Sequence, residues 1–351
     1  MSVAYTAVLD SLTHPAILQQ AGPEPGEVHC TACPHHCRLI SGQRGGCGLR
    51  FCREGRLLAP WGYTSGVAVD PLEKKPLYHV CPGTTVLSFG MLGCNLHCPF
   101  CQNWTLSQTL RDERALAAPR PITPAQLAAA AERAGSRWLA ATYNEPLIAA
   151  EWVAAVFQAA RARGLRTCIV SNGFASPAAL AYLQPCLDAA NIDLKCFTKE
   201  GYRGLGGSLQ PVLDTIQSLW HAGVWVEATT LVVPGLNDSS EELGQTAAFL
   251  AGVSLDLPWH VSAYHPDYRM SDGPPGTPAA TLERACDRGR QSGLRYVYTG
   301  NQRSPRRGED TCCPACGATL VVRRGFAVQY CRLGADGLCP ACRYRIAGIW
   351  N

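Results

Sequence analysis

From residue 85 to residue 299 the chain alternates short apolar or β-branched runs with stretches that carry helix signals, which leaves few folds open. The runs are TVLSFG (85–90), WLAATY (138–143), TCIVS (167–171), NIDLK (191–195), VWVEATTLV (224–232), WHVSAY (259–264) and YVYT (296–299). Thr123-Pro124 and Ser176-Pro177 each set a capping side chain before a first-turn proline, a helix-start signal. Further helices are predicted from Pro146 to Gly164, Ser208 to Gly223, Ser239 to Gly252 and over 278–293. Units of this kind predict a parallel sheet covered by helices.

The polar residues decide between a doubly wound sheet and a barrel. Successive strands end in Cys94, Asn144-Glu145, Ser171-Asn172, Asp193 with Lys195, His265 and Asn301. A barrel spreads its site over the C-terminal ends of several strands, whereas a doubly wound sheet concentrates it at one switch point. The expectation is an α/β fold with a partial (βα)6-type TIM barrel over 81–303. It is flanked by a small Cys-rich N-terminal region over 1–80 and a zinc-ribbon-like tail over 304–351.

Composition sets the chemistry. Hydrophobic residues make up 47% of the 351, enough for a sizeable core, and a net charge of +4 argues for neither nucleic acid nor an anionic membrane. There is no uninterrupted apolar run of about 18 residues, and MSVAYTAVLDSLTHPAILQQ is not a secretory signal. A cytoplasmic protein without a membrane partner is expected. In that reducing compartment the 19 cysteines point to metal or catalysis rather than disulfides.

Eleven of those cysteines fall into three groups. At the C-terminus CPAC (313–316) and CPAC (339–342) are separated by 22 residues, so Cys313, Cys316, Cys339 and Cys342 have the spacing of a structural zinc site. Near the N-terminus Cys30, Cys33, Cys37 and Cys47 fit zinc or a second iron–sulfur cluster; the spacing chooses neither, zinc being the slight preference. The third group, Cys94, Cys98 and Cys101 in GCNLHCPFCQN, follows the first barrel strand. Three thiolates can hold three corners of a four-iron cube and leave one iron open, and an open position marks a reactive metal site. On spacing alone the alternative is a zinc site completed by His97 or a distant residue.

C-x3-C-x-aromatic-C, with Phe100 as the aromatic, resembles the radical S-adenosylmethionine (SAM) enzymes. The resemblance implies a [4Fe-4S] cluster on Cys94, Cys98 and Cys101 whose open iron is chelated by SAM. One electron from a reductant such as flavodoxin or ferredoxin then cleaves SAM, and the 5′-deoxyadenosyl radical abstracts hydrogen from a substrate. TYNEP (142–146) resembles the superfamily's glycine-glycine-glutamate-proline motif, which puts Asn144 and Glu145 at the SAM amino group. By the same resemblance Ser171 and Asn172 meet the ribose or carboxylate, and Lys195 pairs with the carboxylate. Asp193 supports Lys195 or holds a cation, and His265 lies near the ribose. Only four of the 31 basic residues are lysines, which points the same way for Lys195.

DPLEKKPLYHVCPG (70–83), the N-terminal CPHHC and the tail ending in GIW make the whole chain resemble the radical SAM member of the AmmeMemoRadiSam system. That subgroup is similar to pyruvate formate-lyase activating enzymes. Companion proteins of that system are implied as partners; a protein, RNA or small-molecule substrate is left open. Three rivals stand beside this reading: a glycyl-radical activating enzyme, an enzyme modifying or methylating protein or RNA, and a non-catalytic zinc adaptor. Against the first, no ferredoxin-like cysteine insertion follows Cys101.

Overall fold

A computed structural model describes residues 3–302 and 308–351. Its central sheet runs, in spatial order from one edge to the other, β8 (Val297–Gly300), β7 (Trp259–Ala263), β6 (Trp225–Val232), β5 (Ala189–Asp193), β4 (Arg166–Ser171), β3 (Trp138–Ala141), β2 (Thr85–Gly90) and β1 (Gly66–Pro71). β2 to β8 are mutually parallel and β1 pairs antiparallel with β2. The parallel strands therefore number seven, one more than a six-unit barrel, because YVYT forms a full strand behind its own helix. Every residue of β3 and β7 is buried, as expected where helices cover one face and the barrel interior the other.

Several of the predicted helix starts are capped by their side chains, though Ser208 makes no capping hydrogen bond. Thr123 and Gln126 form a capping box at α1 (Pro124–Arg133), and Ser176 caps α3 (Pro177–Leu183) by accepting from Ala179 N. Between them a 3-10 turn over Pro146–Ala149 leads into α2 (Ala150–Arg161). Three more helices, α4 (Leu209–His221), α5 (Ser240–Val253) and α6 (Ala279–Gln291), complete the outer layer. Among the described residues no helix is long and apolar enough to cross a membrane.

Residues 13–60 build two small antiparallel sheets. They are tied to α2 by a buried ion pair, Arg50 with Glu151, each only 1–2% exposed. Glu151 also accepts from the backbone of Ile17 and Leu18 (3.2 and 3.1 Å), while Arg50 Nε donates to Ile148 O (2.8 Å). One carboxylate thus pins three segments.

The tail forms a three-stranded sheet, β9 (Thr311–Cys312), β10 (Thr319–Arg324) and β11 (Ala327–Cys331), that packs on β8 and on the segment joining β1 to β2. It so bridges the two edges that an incomplete barrel leaves open. Arg323, fully buried, donates to Tyr78 O (2.7 Å) and Thr311 Oγ1 (2.8 Å), lies 4.1 Å over the Tyr78 ring and 3.6 Å from Glu73. Beside it His79 is also fully buried, with Nδ1 2.7 Å from Ala347 O and Nε2 2.7 Å from Tyr298 Oη.

Burial holds the His79 imidazole neutral, its pKa pushed down to about 4. In the unfolded chain it titrates near 6.5, so the unfolded state binds the extra proton first. Acidification from pH 6.5 to 4 is therefore expected to remove up to about 3 kcal/mol of stability, with little further loss from this residue below that window. Denaturant titrations at stepped pH check this: His79→Gln should flatten that window, and an unchanged slope would refute the assignment.

Candidate active site

The loop after β2 has to make a close approach before its first cysteine. Gly93 has φ +80, and a Cβ there would sit 2.9 Å from Ile148 Cδ1, 3.0 Å from Leu49 Cγ and 3.1 Å from Cys47 O, so only glycine fits. Asn144, at the end of β3, holds the same loop from the other side. Its Oδ1 accepts from Met91 N (2.9 Å) and its Nδ2 donates to Leu92 O and Gly93 O (3.1 Å each). The Asn144 amide is thus turned to the backbone that carries Cys94. Asn144→Ala takes the partner from Met91 N and Leu92 O, each worth about 1–3 kcal/mol, while Gly93 O keeps the Glu145 amide. It should lower the denaturation midpoint and loosen metal retention; a variant as stable as wild type would show the loop is held otherwise.

Cys94, Cys98 and Cys101 open onto one cavity of about 280 Å³ at the C-terminal ends of the strands, with the buried Phe100 ring in its wall. Burial raises the Cys94 thiol well above its ordinary value, with the Glu145 charge adding to it. Cys98 is pushed up to about 11 by burial against the pull of Lys195. Both thiols are therefore protonated in the metal-free chain at neutral pH, and metal ligation must release those protons. Asn172 Nδ2 lies 3.6 Å from Cys94 Sγ and 2.8 Å from Asn95 Oδ1, so the loop is braced by β4 as well.

Glu145 is 2% exposed and collects donors on both oxygens. Oε1 accepts from Leu147 N (2.9 Å) and Ser171 Oγ (2.8 Å), and Oε2 accepts from Asn172 N (2.8 Å). Burial still raises the carboxyl to about 7. Across the cavity Lys195 Nζ is 2.9 Å from Asp193 Oδ2. Burial works against the Lys195 charge, but Asp193 and Cys98 outweigh it and hold the ammonium charged well above its usual range. The cavity thus has a buried carboxyl at Glu145 on one side and the Lys195–Asp193 pair on the other, which suits a zwitterionic ligand.

Ten of the site residues predicted from sequence line this one cavity: Cys94, Cys98, Cys101, Phe100, Asn144, Glu145, Ser171, Asn172, Asp193 and Lys195. His265 does not. It is exposed, its Nδ1 lies 3.4 Å from Pro266 O, and the lining leaves it out, because the chain turns outward directly after β7. Lys195 lies two residues past the end of β5 rather than within a strand, since β5 begins two residues earlier than NIDLK suggests.

Among the other lining residues, three that sequence reasoning did not assign to the site stand out. Tyr143 takes a left-handed backbone (φ 72), an uncommon choice for a bulky residue that costs about 1–3 kcal/mol. Its hydroxyl donates to Asp70 Oδ2 (2.7 Å), and Lys75 Nζ lies 4.6 Å from the ring centre. Lys74 reaches the lining while paired to Asp70 (2.9 Å). The rarity of lysine was the available signal for Lys74. Phe326, at the β10–β11 turn, reaches the lining only because the tail crosses the open side of the barrel; no local pattern announces it.

Outside the cavity, Cys313, Cys316, Cys339 and Cys342 converge. Sγ separations are 3.6 Å for Cys313–Cys342 and 3.7 Å for Cys316–Cys339, and all four sulfurs lie within 4.8 Å of one another. This spacing matches four thiolates on one tetrahedral ion, where metal–sulfur bonds of about 2.3 Å set sulfurs about 3.8 Å apart.

The donor set of the cavity fits the cofactors expected from sequence. Three cysteines line it without a fourth, and carboxylate and ammonium groups stand where an amino acid's two charges need partners. Residues 90–250 match the family described as the Radical SAM superfamily. The chain is 36% identical over 326 residues to the uncharacterized protein MJ0808 of Methanocaldococcus jannaschii, covering 92% of this chain and 96% of that protein. Among solved structures it is similar to a domain of pyruvate-formate lyase-activating enzyme from Bacteroides vulgatus, with TM-score 0.39, 15% identity, and coverage of 45% of this chain and 94% of that one. It is also similar to QueE from Escherichia coli, with TM-score 0.41, 12% identity, and coverage of 68% and 94%.

Proposed function

The chain belongs to the radical SAM superfamily and is an enzyme, and from that premise we propose that Cys94, Cys98 and Cys101 hold its [4Fe-4S] cluster and that Glu145, Lys195 and their neighbours bind SAM. The observation that carries this is the meeting of three thiols, Glu145 and Lys195 in one cavity at the strand ends. When bound, the cluster and SAM supply reductive cleavage to a 5′-deoxyadenosyl radical, which removes hydrogen from a substrate. The chain's own residues do the rest. Glu145 accepts from the SAM ammonium, a charge-assisted bond. Lys195, fixed by Asp193, donates to the SAM carboxylate, while Ser171 and Asn172 hold Glu145 in place for its contact. Phe100 and the apolar wall keep water from the cavity.

In the tail, Cys313, Cys316, Cys339 and Cys342 are assigned to a structural zinc that fastens a short segment with little core of its own. The motifs DPLEKKPLYHVCPG and TYNEP further support the radical SAM role of the AmmeMemoRadiSam system, with flavodoxin or ferredoxin as reductant and a companion protein as partner.

The test is an anaerobically reconstituted protein reduced in the presence of SAM with separate deuterated protein, RNA and small-molecule fractions. Deuterium in the 5′-deoxyadenosine from one fraction identifies the substrate class. Label from a glycine of a partner protein would instead favour an activating enzyme, and S-adenosylhomocysteine alongside it would favour methyl transfer. A colourless protein without acid-labile sulfide would overturn the reading in favour of a zinc adaptor.

A further inference from the structure

We propose that Cys30, Cys33, Cys37 and Cys47 hold a second iron–sulfur cluster rather than zinc, seated directly against the three-cysteine loop. Their spacing in the sequence is neutral between the two metals; their arrangement is not. The four come together from a hairpin and a loop: Cys30 N donates to Cys37 O (2.9 Å), and the glycine pair Gly45-Gly46 leads into Cys47. Cys33 lies within electrostatic range of Cys47, Cys30 and Cys37, and Cys30 of Cys47 and Cys37, so they share one locus. Cys30, Cys33 and Cys47 are 5–8% exposed.

The same structure offers an internal standard. The tail quartet closes to the sulfur spacing of a single tetrahedral ion. Among the described residues it is the one group of three or more Cys, His, Asp or Glu whose ligand atoms all lie within 4.8 Å. The N-terminal thiols share a locus, yet no three of them form a group that close. Four thiolates on one zinc must crowd together, whereas a cube places each on a different iron and holds them further apart.

The surroundings fit sulfur ligands of a charged cluster. Gly46 N points at Cys37 Sγ and Arg50 N at Cys47 Sγ, each 3.4 Å away. The buried Arg50 guanidinium, 4.0 Å from Cys30 Sγ, supplies a positive charge beside the site. Arg111 joins this loop to the other one, since its guanidinium donates to Gly46 O and to Cys94 O. His35 Nε2 adds a contact to Asn95 O (2.8 Å).

The experiment uses the full chain, reconstituted anaerobically with iron and sulfide, in which Cys94, Cys98 and Cys101 are all replaced by Ala. It should retain about four iron and four sulfide per chain, give a reduced-cluster EPR signal with dithionite that SAM leaves unchanged, and carry about one zinc from the tail. Loss of iron and sulfide to background overturns the proposal, whether zinc is about one or about two per chain. Should the triple variant fail to fold, the complementary Cys30→Ser, Cys33→Ser, Cys37→Ser, Cys47→Ser chain decides. The proposal expects iron to fall from about eight to about four while the SAM-sensitive signal persists; wild-type iron of only about four overturns it. A SAM-induced change in the wild-type EPR spectrum tests the proposed function separately, so the two can fail independently.

Discussion

Replacing Cys94, Cys98 or Cys101 singly by Ala is expected to lower 5′-deoxyadenosine formation by more than about a hundredfold. Changes one shell removed from a metal already cost about 10–100-fold in affinity or activity, and each of these thiols is proposed as a direct ligand. Cys94 and Cys98 are held by backbone and burial in positions that no neighbouring cysteine can take over: Leu96 N lies 3.3 Å from Cys94 Sγ, and Cys98 is 7% exposed. The loss should appear in turnover and in the SAM-perturbed EPR signal together, while denaturation midpoints of the metal-free variants move little. A variant that keeps activity would remove its cysteine from the site. Cys168, buried in β4 and absent from the lining, serves as the control whose replacement leaves cleavage intact.

Glu151→Ala should destabilise the chain by about 3–5 kcal/mol, the range for breaking one side of a buried ion pair. The change leaves the Arg50 guanidinium unpaired at 1% exposure and removes the acceptor of the Ile17 and Leu18 amides. Burial opposes the Arg50 charge, and Glu151 is the largest of the groups that outweigh it. Equilibrium unfolding in urea measures the effect as a shift in midpoint. The double variant Arg50→Met, Glu151→Leu should recover part of the loss, because neither member of the pair is then left as an unpaired buried charge. The Ile17 and Leu18 amides still lack their acceptor. A single-variant effect below about 1 kcal/mol would show that water reaches the pair.

Much of this architecture was legible because its signals are local. The strand–helix alternation, the Thr123 and Ser176 caps and the polar strand ends each follow from side-chain period or from hydrogen bonding within a few residues. So were the ten lining residues. One reading went astray where a chain turns: His265 looks like one more strand-end group until the chain leaves β7.

The sequence alone determined the parallel α/β sheet, the three cysteine groups and the side chains at the strand ends, since periodicity and spacing are properties of neighbours along the chain. Only the tertiary structure decided that β1 caps the sheet from the N-terminal side, that the tail bridges the open barrel, and that Phe326 and Lys74 reach the cavity. It also decided that the Asn144 amide is used on the loop backbone and that the N-terminal cysteine loop touches the three-cysteine loop through Arg111. These depend on contacts between residues tens to hundreds apart, whose geometry is set by how layers pack and not by any local pattern.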